Sequence, residues 1–148
     1  MNPFDIKVAF LARHAQHVVL IHFPIALFLA SVAFDFAAHW SGKRSLAAVI
    51  YWNLLGAAVM SLPVVITGVM AWQWQLEGQK LKGILLMHLV LGVTSSGLIW
   101  LVWWLHFRAR RNPEAALPQY RLPVELVAAI TVAVTAHLGG FLSGINGP

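Results

Sequence analysis

The chain has 148 residues, of which 59% are hydrophobic and only 10% charged, against roughly 25% charged in soluble domains. That balance excludes a soluble enzyme or nucleic-acid-binding module and identifies a membrane protein; the net charge of +5 comes from Lys and Arg in the gaps between apolar segments, where topology explains them better than RNA or DNA does. Cysteine is absent, which excludes disulfides, thiolate-held iron–sulfur clusters and haem attachment through C-x-x-C-H.

The opening segment MNPFDIKVAFLARHAQ leads into an apolar run with no small-residue cleavage site after it, so that run is expected to remain as a permanent anchor. Runs of spanning length follow at about 15–38, 46–74, 83–106 and 124–145, each meeting the requirement of about 20 apolar residues. The gaps hold Ser41-Gly42-Lys43-Arg44, then Glu77 to Gly83, then the proline-bearing stretch from Arg108 to Pro123. Connections this short join antiparallel neighbours. The fold class is therefore all-α, an integral membrane up-down four-helix bundle in a single domain.

Side A holds both termini and the Glu77–Gly83 connection, and side B is opposite. Side B carries Lys43, Arg44, Arg108, Arg110, Arg111 and Arg121, against Lys7, Arg13, Lys80 and Lys82 on side A. The excess places B in the cytoplasm and both termini in the periplasm, in a multi-pass protein of the bacterial inner membrane. Trp72 and Trp74 near A, and Trp40, Trp103 and Trp104 near B, fit aromatic belts. No sequence repeat between the two helix pairs is evident, nor any low-complexity segment.

The seven histidines divide by depth. His39 and His106 lie at the B boundary and are expected to be solvated. His14, His17, His22, His88 and His137 lie in the A half, with His22 and His137 about 13 Å deep and His88 about 9 Å deep at about 1.5 Å per residue. Three helices thus offer an imidazole at similar depth, where ionisable groups are costly and usually mark a site. The H-E-x-x-H pattern of helical zinc proteases is absent, and Asp35 and Glu125 lie toward side B. The donor set fits b-type haem in a four-helix bundle, one group or two.

Helices one and three are diagonal in the simple layout, which favours His22 with His88 as axial ligands. His17 stands about 140° round the helix from His22, so it serves elsewhere, as does His137; a second haem between those two is the alternative. Gly92, Gly139 and Gly140 would let a macrocycle or a helix approach the backbone, Ser96 would bond a cofactor edge, and Arg13 would neutralise a propionate. Pro24 removes a backbone hydrogen bond next to His22 and is expected to kink the helix there.

HVVLIHFPIAL, residues 17–27, resembles the opening of a bacterial family of four-helix membrane proteins labelled domain of unknown function twenty-two thirty-one, whose members begin HP-x-x-VHFPIAL. The resemblance extends to Thr67, Gly68 and Trp72 (TG-x-x-x-W), to His88, and to TAHLGG from Thr135 to Gly140 with Gly147 trailing. Val18 departs from the family's proline, and Gly144 from a frequent polar residue or histidine. The label carries no established activity; association of some relatives with periplasmic dehydrogenases or cytochromes implies an electron-transfer subunit.

The sequence thus points to a membrane-embedded b-type cytochrome subunit with other membrane or periplasmic redox subunits as partners, and with quinone as a further ligand. The alternative is a haem-free anchor or assembly subunit of a larger complex. A transporter or proton path along His14, His17 and His22 lacks acidic partners. An enzyme in its own right is disfavoured, because no nucleophile, base and oxyanion group come together.

Overall fold

A computed structural model describes residues 13–112 and 117–143. Four helices account for nearly all of them: α1 (Arg13–Ser41), α2 (Ala47–Gln75), α3 (Gly83–Arg111) and α4 (Arg121–Leu142), with a short 3₁₀ turn at Arg44–Leu46 before α2. All four are long and apolar enough to cross a membrane. The 29-residue helices are about 43 Å long, so their ends reach through the headgroup layer beyond the hydrocarbon core.

Helix boundaries follow local chemistry. α3 runs past the apolar segment to Arg111 with Arg108, Arg110 and Arg111 in its last turn, where cations complement the helix dipole. Arg108 lies over Trp104, Arg110 over Tyr51 and Arg111 over Phe107, so the aromatic rings at side B support the charges. α4 begins at Arg121 with Pro123 in its first turn, where the missing N–H has no helical partner in any case. Gly42 and Gly78 take the left-handed backbone, at φ 68° and 63°, that lets the chain reverse within a few residues. α1 continues through Pro24 as one helix, and Pro24 itself is buried.

The helices form a ring in which α1 packs on α2 and α4, and α3 packs on α2 and α4, leaving α1 diagonal to α3. The α1–α4 seam is the thinnest of the four. Phe28, Ile50, Leu54, Ala57, Ala58, Ile99, Val102, Ala128 and Val132 form the centre of the core. Small residues there let the backbones approach.

Packing is uneven along the bundle. The buried residues lie between 24 and 35 in α1, 50 and 61 in α2, 95 and 106 in α3, and 121 and 132 in α4. These are the middle and the B end. Among the described residues, no side chain on the A side of Pro24, Ser61, Ser95 and Val132 is buried.

Phe28, fully buried, should therefore matter far more than Ile66, which is 59% exposed on the outer face. Phe28→Ala is expected to cost about 3–5 kcal/mol through the cavity it leaves, and Ile66→Ala less than about 0.5 kcal/mol, measured by reversible unfolding in mixed detergent.

Candidate functional site

Two layers of polar groups occupy the bundle, one toward each side. The A layer centres on His17 of α1 and His88 of α3, both half-buried. Each ring lies over a glycine of the adjacent helix. A Cβ on Gly68 would stand 3.0 Å from His17 Cε1, and one on Gly139 would stand 3.0 Å from His88 Cε1. These two glycines are required by close approach, since any side chain would push the imidazole away.

Hydrogen bonding fixes both rings. Thr67 Oγ1 donates to the Pro63 carbonyl at 2.8 Å, so its contact of 3.2 Å with His17 Nδ1 has the histidine as donor. His88 Nδ1 donates to the Thr135 carbonyl at 3.1 Å, which can only accept. With Nδ1 as the donor, a neutral imidazole at either position keeps its lone pair on Nε2. Behind His88, Ser95 Oγ donates to Thr135 Oγ1 at 3.0 Å, and Thr135 Oγ1 donates to the Thr131 carbonyl at 2.7 Å.

The diagonal placement of the two histidine-bearing helices matches the sequence expectation, but the residue on α1 does not. His22 is exposed, and its Nδ1 donates to the Val18 carbonyl of its own helix at 2.7 Å. The 140° between His17 and His22 allows one of them to face inward, and packing against Gly68 selects His17. His137 is likewise exposed, edge-on to Phe141 at 5.0 Å between ring centres. It stands two residues from both Thr135 and Gly139, hence about 200° from the face that receives His88. Neither His22 nor His137 joins the pair.

Ser96 donates to the Gly92 carbonyl at 3.0 Å within α3, which uses its hydroxyl proton locally. A Cβ on Gly92 would stand 3.9 Å from the Thr135 methyl group, ordinary van der Waals contact, so no close approach requires the glycine there. The Gly140 carbonyl accepts from Ser143 Oγ at 3.0 Å. The side chains of Arg13 and His14, and Gly144 and Gly147, lie outside the described residues.

The B layer overturns the expectation that His106 is solvated. His106 is buried, and its Nε2 lies 3.0 Å from Glu125 Oε1. Arg121 Nε donates to Asp35 Oδ2 at 2.6 Å, and both residues are buried. Glu125 Oε2 and Trp103 Nε1 are buried without a hydrogen-bond partner. Trp103 is not a simple belt residue either, because it stacks on Phe107 and is half-buried.

A hidden repeat relates the two layers. His17 and His88, Asp35 and His106, and Gly68 and Gly139 are each 71 positions apart. The same offset maps buried onto buried at Pro24/Ser95, Phe28/Ile99, Ser31/Val102, Ile50/Arg121, Leu54/Glu125, Ala57/Ala128 and Ser61/Val132. Few of these pairs keep their residue type, so the sequence alone conceals the correspondence. At the A layer it is symmetric, His and Gly from each hairpin. At the B layer three of the four polar groups come from the second hairpin.

Breaking a buried ion pair from one side leaves an unpaired charge, costing about 3–5 kcal/mol, whereas replacing both partners by apolar residues is close to neutral. Arg121→Leu is thus expected to destabilise the protein by that amount and Asp35→Leu/Arg121→Leu by much less, as read from the same detergent unfolding. Equal losses in both variants would show that the pair does not act as a unit.

A comparison with curated proteins and one with solved structures each returned no match. The model of the family described as Predicted membrane protein (DUF2231) matches residues 13–146, which takes in all four helices, both histidines of the A layer and the whole B layer. The chain belongs to this family of membrane proteins.

Proposed function

We propose that the protein is a b-type cytochrome subunit that carries electrons across part of the bilayer between a periplasmic redox partner and quinone or another haem protein. The observation that carries this reading is the tautomer and placement of His17 and His88. Each ring is locked through Nδ1–H to a Thr67 hydroxyl or a Thr135 carbonyl, the arrangement that orients a metal-ligating histidine and strengthens its other nitrogen as a donor. The two stand on diagonal helices, whose greater separation suits a ligand held between two imidazoles.

The residues present fit haem on two further grounds. Thiolate is absent, so a neutral bis-imidazole site is the available chemistry. The A half also lacks a buried apolar centre of its own, and a flat apolar macrocycle would supply one there. Bound haem would contribute one-electron redox chemistry. The chain's own residues would set its ligand geometry: Thr67 and Thr135 fix the ring planes, and Gly68 and Gly139 admit the rings to the interior. One such histidine on each of two diagonal helices corresponds to one haem per chain.

Arg121, engaged with Asp35, drops out of the loop-charge comparison. Lys43, Arg44, Arg108, Arg110 and Arg111 still outnumber Lys7, Arg13, Lys80 and Lys82, which supports a cytoplasmic side B and a histidine layer in the periplasmic half.

A reduced-minus-oxidised spectrum of protein made with ample haem is expected to show a b-type α band at one haem per chain. His17→Ala and His88→Ala should each abolish it, while His22→Ala and His137→Ala should leave the haem ratio unchanged. Wild-type protein without a haem band would refute the reading and leave the haem-free anchor.

Within the site, Gly139→Ala is expected to shift the haem spectrum or lower occupancy several-fold, because the added methyl displaces His88. Gly97→Ala, at a position with open space around it, should do neither. Equal effects of the two changes would remove the glycine from the site.

A further inference from the structure

The B layer is independent of the haem reading and carries chemistry of its own. Asp35, His106 and Glu125 come from three helices, and one ligand atom from each lies within 4.8 Å of the others. All three are more than nine-tenths buried, at 3%, 7% and 1% exposure. Glu125 Oε2 has no partner, although burying a carboxylate oxygen without one is costly. The set places two carboxyl groups and an imidazole beside one guanidinium in a low-dielectric interior.

We propose that Asp35, His106 and Glu125 form a binding site for a divalent transition metal ion such as zinc or manganese. Mixed imidazole and carboxylate ligands suit these ions, while magnesium and calcium prefer oxygen alone. With bonds of about 2.0–2.2 Å the ligand atoms of a tetrahedral site stand about 3.3–3.6 Å apart, so the widest separation in the group would close by roughly an ångström or more through side-chain rotation as the ion binds. Arg121 holds Asp35 through Oδ2 and so acts as the outer partner that ligating carboxylates commonly have.

The fourth position has an approach from side B. A cavity of about 350 Å³ is lined by Asp35, His39, Lys43, His106 and Arg121 together with apolar residues. Two of the three ligand residues, Asp35 and His106, line it. The site is thus a three-ligand centre open toward the cytoplasmic face, separate from the histidine pair of side A.

The test uses full-length His17→Ala/His88→Ala protein, so that the A layer cannot contribute ligands. Stripped with chelator and dialysed against Co²⁺, it is expected to retain one cobalt per chain with the intense visible bands of a four- or five-coordinate nitrogen and oxygen site. His106→Gln or Glu125→Gln in that background should reduce the ratio to the level of a metal-free control. Retention of cobalt in both variants overturns the proposal in favour of an adventitious ion only, and a parent ratio near zero overturns it in favour of a closed ion network. If neither variant folds, the parent decides: an intense cobalt spectrum supports the site and a pale octahedral one refutes it.

Discussion

The Asp35–Arg121 ion pair closes the bundle. It joins the end of the first helix to the start of the last, across the seam where apolar packing is thinnest. In water such a pair would contribute little, but in the bilayer neither partner has an alternative to the other. Its desolvation fixes the register of α1 against α4. His106 and Glu125 then meet one turn deeper, and the small residues Ala57, Ala58 and Ala128 bring the remaining backbones together. The inward turn of His17 and His88 at the far end follows from that same register.

The number, order and antiparallel sense of the helices are legible in the sequence because spanning length and charged gaps are properties of continuous segments. Side-chain direction is less legible. His17 and His22 differ by a rotation of about 140°, and depth alone favours His22, which is exposed. The deciding feature is Gly68, fifty-one positions away in the sequence, whose missing side chain makes room for His17 alone. His137 illustrates the same limit, since neighbouring Thr135 and Gly139 face inward while it faces out.

The B layer was missed for a different reason. His106 stands near the end of its apolar run, where a histidine is ordinarily solvated, but α3 extends to Arg111 and carries His106 inside. Asp35 and Glu125 were visible as acids within spanning segments, the strongest available sign of an interior partner. The 71-residue offset that pairs Asp35 with His106 would have exposed the relation. It escapes direct comparison because the hairpins retain matching burial while few residue identities persist. The symmetry of the A layer and the asymmetry of the B layer then separate naturally: two equivalent imidazoles suit a ligand with two equivalent faces, whereas three unlike donors do not require it.

The concentration of buried side chains in one half of the bundle also orders its assembly. The middle and B end contain the Asp35–Arg121 ion pair, the His106–Glu125 hydrogen bond and the apolar core, so they can close as soon as the four helices are inserted. The A half has no such core to complete, and its inward surface is made of glycines, threonines and two imidazoles already set by hydrogen bonds. The chain is therefore a scaffold clamped at one end and open at the other. On the haem reading proposed above, the group would enter late, from the side of the termini, without any helix having to unpack.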